Sequence, residues 1–546
     1  MMPESESPSA QEPAKDQNEE AEQLQEEETD PEFFTDLLNE ETEIDSELPN
    51  LVSLDLSYNH NLTASCSQLF IGGRWKKIQM LDLSFNKLHG KLPSSLGNIT
   101  SLTHLDLSYN AVEGGIPSSI IGKLCNLTYF DLGGKKVTGN LPEFLEGIES
   151  CPSKSPLPNL KQFFLDNNQL VGKIPYWLGQ LENLELQGQL PNPLPMSQMP
   201  FLDLSFNLLE GPINIENASY DMLDLSHNHF SGHIPQNLSE RCMFLSLSNN
   251  HLSRQIPMSI GVMFRVIVID FSRNNLIGRI PSSLENCSLL NALDLGSNNL
   301  SGTIPNSLGE LRQLQTLHLS NNQLSGKFPS SLINLSNLQT MDLGNNHLSG
   351  DIPSWIGDGF SYLRILILRS NSFTGEIISE LSNLTSLQIL DLGDNNLSGN
   401  IPATLGNNLS GRFPQELTKL YGLEVLNLSR NHIASNIPAS ISNMHQLSSL
   451  DLSSNHLSGS IPPSLSSLSF LGYLNLSYNN LSGAIPYTGH MTTFEAPSYA
   501  GNPGLCGLPL PFKCPDDDDD DPNKGAKAHG FVALHSHIPY SSIFLT

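Results

Sequence analysis

The sequence of 546 residues predicts an α/β-type solenoid, right-handed, with short parallel β-strands on a concave face and an irregular or 3-10 convex side. Two observations predict this fold. A hexapeptide of the form LxLxxN recurs along the chain, for example as LDLSYN from Leu54 and as LNLSYN from Leu474. The asparagines that end it recur every 24 residues, as at Asn250, Asn274 and Asn298. A fixed period of this length indicates stacked repeats rather than separate globular domains.

Each part of the repeat has a physical role. In LxLxxN the two leucines alternate with exposed positions, so a short strand points its leucines into the core and the intervening residues onto a face. The asparagine is predicted to be buried, where its amide pairs with backbone groups that water does not reach. The LSGxIP segment that follows, as from Leu300 to Pro305, contains a glycine that permits a tight bend and a proline that limits further strand pairing. This unit is a leucine-rich repeat.

Strand counting gives seventeen clear strands between Leu54 and Leu476 and a degenerate one near Leu184 to Leu186, or about 18 repeats. The spacing is irregular near residues 133–160, 184–200 and 405–412. In the last of these a repeat resumes without its strand, which predicts a kink, a slip or a gap at Leu405 to Asn408. The predicted organisation is an acidic disordered leader, the solenoid, a C-terminal cap, and an acidic run with an unstructured tail, at residues 1–48, 49–490, 491–515 and 516–546.

Charge is concentrated at the two ends of the chain. The formal net charge is −29, but residues 1–48 hold eighteen acids and one base, and Asp516 to Asp521 is an unbroken acidic run. The solenoid between them is nearly neutral. The net charge therefore does not describe a recognition surface, and no nucleic-acid partner is expected.

Motifs for catalysis, cofactors and metals are absent from the sequence, which contains no P-loop, G-x-G-x-x-G, C-x-x-C, H-E-x-x-H or G-x-S-x-G. We therefore expect a non-enzymatic protein without cofactor or metal. The aspartate that recurs between the strand leucines, as at Asp55 and Asp82, is interpreted as structural, hydrogen-bonded by neighbouring Ser and Asn.

Function is expected where the concave face departs from this pattern. Arg and aromatic residues on such a face are typical anchors for a peptide or protein partner, although drift on a solvated face is an equal interpretation of any single departure. The ligand-face candidates are Phe164, Ser246, Arg273, His318, Ile367, Arg369, Asn427 and Arg430.

The seven cysteines do not form a complete disulfide framework, since their number is odd. Cys506 and Cys514 lie eight apart just after the last repeat, and their disulfide would close the end of the core. Cys125 and Cys287 are interpreted as small buried residues at leucine-type positions. Three cysteines have no predicted partner: Cys66, Cys151 and Cys242.

Fourteen N-x-S/T sequons predict a glycoprotein outside the cytosol, although the repeat itself generates such sequons. We expect glycans at Asn98, Asn126, Asn217, Asn237, Asn334 and Asn383. No signal-peptide pattern and no stretch of eighteen apolar residues is visible, so no membrane span is expected in this chain.

Residues 49–515 resemble the extracellular part of plant leucine-rich-repeat receptor-like proteins of the ethylene-inducing-xylanase-receptor and apple-scab-resistance type. Specific stretches are CPSKSPLPNL at Cys151 to Leu160, FPQELTKLYGLEVLNLSRN at Phe413 to Asn431, and TTFEAPSYAGNPGLCGLPLPFKC at Thr492 to Cys514. The family has a cysteine-paired N-terminal cap, an island between its last repeats and a membrane span. Since this chain lacks all three, it is identified as a truncated and internally deleted member.

The resemblance implies a plasma-membrane location on the extracellular side. It implies binding of a peptide or protein ligand on the concave face, and defence or developmental signalling through co-receptor and adaptor kinases. Two alternatives remain open. One is a soluble secreted inhibitor or decoy similar to polygalacturonase-inhibiting proteins, and the other is a non-functional truncated gene product.

Overall fold

The computed structural model describes residues 50–71, 75–144, 147, 149, 151–152, 157–175, 177–178, 201–213, 220–398 and 415–514. These residues fall into two compact units, unit 1 up to residue 314 and unit 2 from residue 315. Each unit is described on its own. The predicted leader and tail, at residues 1–48 and 516–546, lie outside the described residues.

The main sheet of unit 1 consists, in the described residues, of ten parallel strands of three residues each. They are β1 (Ser53–Asp55), β2 (Met80–Asp82), β3 (His104–Asp106), β4 (Tyr129–Asp131), β5 (Gln162–Phe164), β6 (Phe201–Asp203), β7 (Met222–Asp224), β8 (Phe244–Ser246), β9 (Val268–Asp270) and β10 (Ala292–Asp294). The main sheet of unit 2 has seven strands in its described part. They are β11 (Thr316–His318), β12 (Thr340–Asp342), β13 (Ile365–Ile367), β14 (Ile389–Asp391), β15 (Val425–Asn427), β16 (Ser449–Asp451) and β17 (Tyr473–Asn475).

Neighbouring strands pair in parallel with equivalent repeat positions opposite one another. Between β2 and β3, for example, Leu81 faces Leu105 and Asp82 faces Asp106. The central residue of every strand from β2 to β17 is buried, with Leu81 and Leu105 both at 0% exposure, whereas Leu54 in β1 is half-buried. The leucine-rich repeat solenoid that the 24-residue period predicts is therefore the observed fold, and each repeat position forms a column along the sheet.

Buried asparagines form a ladder behind the strands. The Asn274 side-chain nitrogen donates to the carbonyls of Leu247, Phe271 and Ser272 at 2.9, 3.2 and 3.1 Å. Its oxygen accepts the backbone N–H of Leu252 at 2.9 Å. The side-chain nitrogen and oxygen of one asparagine thus both bond to the preceding repeat, and the nitrogen also bonds to the turn of its own repeat. The same pattern recurs at Asn228, Asn346 and Asn455.

The segments after the asparagines form further short parallel strands. In unit 1 these are His89–Lys91, Ala111–Glu113, Thr138–Asn140, Gln169–Gly172, Leu208–Gly211, His229–Gly232, His251–Arg254, Asn275–Gly278 and Asn299–Gly302. In unit 2 they are Gln323–Gly326, His347–Asp351, Ser372–Thr374, Ser458–Gly459, Asn480–Ala484 and Gly504–Cys506. Glycine ends many of them because the chain turns there with positive φ; at Gly278 φ is 85°.

Single helical turns return the chain to the next strand. The 3-10 turns are Ser94–Asn98, Met258–Val262, Ser282–Asn286, Asn306–Glu310, Ser330–Asn334, Ser379–Asn383, Gln415–Lys419, Ala439–Asn443, Pro463–Ser467, Gly489–Thr493 and Ala496–Tyr499. The α-helical turns are Cys66–Leu69, Ser118–Lys123 and Trp355–Gly359. Most bury one leucine or isoleucine, such as Leu284 at 1% exposure, and several begin directly after the IP of the repeat.

The sheet is continuous at the places where the spacing is irregular. Strand β5 pairs directly with β6, and β14 pairs directly with β15. The asparagine ladder also continues there, because the Leu397 N–H donates to Asn431 Oδ1 at 3.0 Å. The degenerate strand near Leu184 to Leu186 and the predicted break at Leu405 to Asn408 lie outside the described residues. On the sheet side, the flanking strands show no gap.

Two disulfides close irregular segments. Cys125 is bonded to Cys151 with a Cα–Cα distance of 5.4 Å, so the interpretation of Cys125 as a free buried residue is wrong. Its partner lies in the surplus loop of the 133–160 region, whose path the repeat pattern does not specify. Cys506 is bonded to Cys514 in the segment after the last repeat. The three remaining cysteines are free and buried: Cys66, Cys242 and Cys287.

Candidate functional site

Three residues of each repeat point out of the main sheet on the side opposite the strand leucines, which we call the concave face. The first precedes the first leucine, the second lies between the leucines and the third follows the second leucine. In β3 these positions are His104, Asp106 and Ser108. The next residue, Tyr109 in this repeat, has positive φ and forms a fourth position. Because the strands are in register, these positions form four columns.

The second column of unit 1 is mainly acidic. Its members from β1 to β10 are Asp55, Asp82, Asp106, Asp131, Phe164, Asp203, Asp224, Ser246, Asp270 and Asp294. These carboxylates accept the backbone N–H two residues later, as from Ser205 to Asp203 at 2.9 Å. Some also accept a hydroxyl, as from Ser108 to Asp106 at 2.7 Å. The structural interpretation of the aspartates is therefore supported for one oxygen of each.

Phe164 lies in the middle of an aromatic row that crosses the acidic column. His104 stacks on Tyr129 with ring centroids 4.0 Å apart, Tyr129 lies 5.5 Å from Phe164, and Phe164 lies 4.9 Å from Phe201. Three of these rings belong to the first column, which contains none of the candidates predicted from the sequence. The available signal was the residue two places before each second-column residue, which is aromatic in four repeats of this unit.

Two carboxylates converge on one phenol within this row. The Tyr129 hydroxyl lies 3.3 Å from Asp106 Oδ2 and 3.2 Å from Asp131 Oδ2. Burial, together with the neighbouring Asp106 carboxylate, raises the pKa of Asp131 to about 7. On the other side of Phe164, burial and then the Asp224 carboxylate raise the pKa of Asp203 to about 6. The charge of this region therefore changes around neutral pH.

The fourth column carries exposed or half-buried aromatic side chains at the start of unit 1. Tyr58 stacks on Phe85 and Phe85 on Tyr109, with ring centroids 4.3 and 4.4 Å apart. Further along, Phe206 stacks on His227 at 3.9 Å. These residues have φ between 52° and 58°, a region that non-glycine residues rarely occupy. Their rings thus form an apolar border along one side of the acidic column.

The other unit 1 candidates are not part of the aromatic row. Ser246 lies in the second column three strands from Phe164, is buried and hydrogen-bonds Ser248. Arg273 lies in the fourth column of the β9 repeat and is exposed. The sequence-predicted residues of unit 1 therefore share a face but do not form one cluster.

In unit 2 the second column is mixed rather than acidic. From β11 to β17 it reads His318, Asp342, Ile367, Asp391, Asn427, Asp451 and Asn475. Arg369 occupies the third column, with its Nη1 3.7 Å from Asp391 Oδ2. Burial raises the pKa of Asp391, and the Arg369 charge opposes that rise.

The unit 2 candidates are close to one another with one exception. Ile367, Arg369, Asn427 and Arg430 belong to the repeats of β13 and β15, on either side of β14. Arg430 is exposed in the fourth column with φ of 52°. His318 lies two strands from Ile367. This second patch combines an aliphatic residue, two guanidinium groups and one amide.

One group of possible metal ligands occurs among the described residues, although none is expected from the sequence. Ligand atoms of Asp82, His104 and Asp106 lie within 4.8 Å of one another. Burial lowers the pKa of His104, which favours the neutral imidazole. These are the residues that could hold a divalent cation.

The predicted glycosylation positions are accessible where the structure describes them. Asn98, Asn334 and Asn383 end 3-10 turns, and all three are exposed. Asn126 and Asn237 are also exposed, whereas Asn217 lies outside the described residues. Glycosylation at these positions stays a prediction.

Comparison with known proteins gives the following similarities. The family described as Leucine rich repeat matches residues 49–112, 288–348 and 404–457. A second description of the same repeat matches residues 159–181, 221–240, 265–287, 362–384 and 386–408. No curated protein sequence matches the chain at a significant level. In the described part of the chain, the helices are all too short to cross a bilayer.

Several solved structures are similar to this chain. The ectodomain of the plant membrane receptor kinase GASSHO1/SCHENGEN3 from Arabidopsis thaliana, in complex with CASPARIAN STRIP INTEGRITY FACTOR 2, is 32% identical with a TM-score of 0.72, over 87% of this chain and 52% of that one. This chain thus spans about half of that ectodomain. The Arabidopsis receptor kinase HAESA, solved with the peptide hormone IDA and the co-receptor SERK1, is 30% identical with a TM-score of 0.61, over 85% of this chain and 80% of that one. A leucine-rich repeat protein from Leptospira interrogans, 24% identical with a TM-score of 0.52 over 81% of this chain and 94% of that one, has a similar fold.

Proposed function

Since this chain belongs to the leucine-rich repeat family, we propose that it is the non-enzymatic ligand-recognition part of a plant receptor, and that it binds a peptide on its concave face. The ligand would signal through partner kinases, in defence or in development, from the extracellular side of the plasma membrane. We also propose that this receptor is of the receptor-like-protein type that the sequence resembles.

The observation that carries the proposal is the aromatic row from His104 to Phe201. The strand leucines already form the core, and these rings lie on the opposite face, so packing of the core does not explain them. They stand on short strands whose positions are fixed by backbone pairing, so little side-chain and backbone entropy is lost on binding. Aromatic residues on a rigid face are frequent binding hot spots.

The similar structures support the choice of a peptide. HAESA was solved with a peptide hormone and a co-receptor, and it matches 85% of this chain at 30% identity. The second patch, at Ile367, Arg369 and Arg430 in unit 2, is a further candidate contact for such a ligand or for a co-receptor. Its guanidinium groups suit a carboxylate partner.

A photo-crosslinking experiment tests the proposal. A photoreactive phenylalanine analogue replaces Phe164 in the full chain, which is exposed to a plant secreted-peptide fraction and analysed by mass spectrometry. The matched control places the same analogue at Phe470, which is 63% exposed but does not lie on a strand of the main sheet. Peptides captured at residue 164 and absent at residue 470 are expected.

Affinity for a captured peptide gives the second measurement. Phe164→Ala should weaken binding roughly tenfold or more, as expected for a hot spot, while Phe470→Ala leaves it unchanged. A double variant, Arg369→Ala with Arg430→Ala, tests the unit 2 patch in the same way, and His318→Ala tests the candidate that lies apart from it. Equal capture at both positions, or unchanged affinity in Phe164→Ala, would refute the concave-face assignment.

A further inference from the structure

The concave face of unit 1 has one sign of charge over most of its length. Eight of its ten second-column residues are aspartates. The four columns of the β1 to β8 repeats contain no Lys or Arg, and the first one is Arg273 in the β9 repeat. A third-column acid, Asp166, adds to the same surface next to Phe164. The acidic residues are thus gathered on the face that the proposed ligand would contact.

The hydrogen-bond partners of this acidic column are neutral where the structure gives them. Asp82 accepts the Ser84 N–H at 3.0 Å, and Asp224 accepts the Ser226 N–H at 2.9 Å. Asp131 accepts the Gly133 N–H at 2.7 Å and the Tyr129 hydroxyl at 3.2 Å. These bonds orient the carboxylates without neutralising them. In unit 2, by contrast, Asp391 has Arg369 beside it.

Apolar rings lie on both sides of the acidic column. The first column contributes Tyr129 and Phe201, and the fourth contributes the stacked Tyr58, Phe85 and Tyr109. A guanidinium or ammonium group between these borders would meet carboxylate oxygens and ring faces together. Both contacts favour cations, and a carboxylate in a partly buried site gains more from a cation than one in bulk water.

We propose that the ligand of unit 1 is a basic peptide, whose Arg or Lys side chains bind the acidic column between β2 and β7 and whose apolar side chains contact the flanking rings. This inference rests on the proposed function and adds the chemical class of the ligand. The observation that selects this occupant is charge complementarity, since an acidic or neutral peptide would bring no positive charge to the carboxylates.

Two repeats of unit 2 show that asparagine can replace the second-column aspartate while the turn after the strand keeps its hydrogen bond. In unit 2, Asn427 and Asn475 occupy the aspartate position and accept the same backbone N–H, from Ser429 at 3.0 Å and from Ser477 at 3.2 Å. Asp→Asn substitutions in unit 1 are therefore expected to fold. The test variant combines Asp131→Asn with Asp203→Asn. The matched control combines Asp342→Asn with Asp451→Asn in unit 2.

The probes are three decapeptides that alternate proline with Arg, Gln or Glu, titrated into the full chain by calorimetry at 50 and 300 mM NaCl and at pH 8, above the raised pKa values of Asp131 and Asp203. The Arg peptide should bind at least tenfold more tightly than the Gln peptide at low salt, and high salt should reduce that difference. The unit 1 variant should weaken Arg-peptide binding at least fivefold. The unit 2 variant should change it less than twofold.

Several outcomes would overturn the inference: no binding of the Arg peptide, equal binding of the Gln or Glu peptide, or an equal loss in both double variants. The proposed function is judged separately. If the crosslinked peptide requires Phe164 but is insensitive to the Asp→Asn changes, peptide recognition stands and the basic class is wrong. If Phe164 is also dispensable, both proposals fail.

Discussion

The buried asparagine ladder makes a quantitative prediction at Asn274, which is 7% exposed in unit 1. We consider Asn274→Leu, a substitution that keeps the branching and the number of side-chain heavy atoms but removes every polar atom. Any loss of stability therefore reports the hydrogen bonds of the amide rather than a cavity.

The magnitude follows from which groups lose their partners. The Leu252 N–H loses its bond to Asn274 Oδ1. The Leu247 carbonyl keeps the bond from Asn250 at 3.2 Å, and the Phe271 carbonyl keeps the bond from Asn298 at 3.0 Å. One buried N–H is thus fully unpaired and the carbonyls partly so. At about 1–3 kcal/mol for an unsatisfied buried group, the expected cost is about 2–4 kcal/mol.

Urea unfolding measures the total loss of unfolding free energy. Amide hydrogen exchange followed by mass spectrometry shows which repeats are destabilised. Exchange should accelerate in peptides that cover the repeats of β8 to β10 and stay unchanged around β2, because each repeat depends mainly on its neighbours. Asn275→Leu is the matched control, since this adjacent asparagine is exposed. It should cost less than about 0.5 kcal/mol.

Equal destabilisation by the two substitutions would refute the reasoning. A uniform increase of exchange along unit 1 would also contradict it, because the energy would then be shared by the whole stack. A cost below about 1 kcal/mol for Asn274→Leu would mean that water reaches the Leu252 N–H after the substitution.

Two further predictions concern charge and cross-linking in unit 1. Burial raises the pKa of Asp131 to about 7, so the stability from its protonated form is full below the ordinary value near 3.8 and is lost as pH rises through 7. Asp131→Asn should therefore raise the melting temperature at pH 8 and have little effect at pH 4; an equal gain at both pH values would exclude ionisation as the cause. Removing the disulfide by Cys125→Ser with Cys151→Ser should lower the free energy of unfolding by about 3 kcal/mol for a 26-residue loop. A urea midpoint unchanged from the wild type would show that the loop is held by its packing alone.

The strands and the asparagine ladder could be predicted because their determinants are local. Leucine at alternate positions and asparagine at the sixth place fix a strand and its turn within one hexapeptide. The columns then follow from stacking equal units, so the repeat pattern alone assigns His318 and Ile367 to one face. Neither their distances nor their partners could be predicted, since Arg369 contacts Asp391 of another repeat.

Neither the Cys125–Cys151 disulfide nor the aromatic row could be predicted from the sequence, and the reasons differ. Cys151 lies in a segment outside the period, so nothing local indicates that it reaches Cys125. The first-column rings were missed because that position has no preferred residue in the repeat. Tyr129 and Phe201 become a feature only when β4, β5 and β6 are placed side by side.

The connections between strands vary in length while the register of the sheet does not. Asn207 and Asn228 are 21 residues apart and Asn168 and Asn207 are 39 apart, yet each pair joins adjacent rungs of the ladder through the same hydrogen bonds. Loop length and register are thus independent variables in this architecture. An insertion between an asparagine and the next strand leaves the pairing of the flanking strands unchanged, so new segments could be grafted there by evolution or by protein engineers without shifting the register of the main sheet.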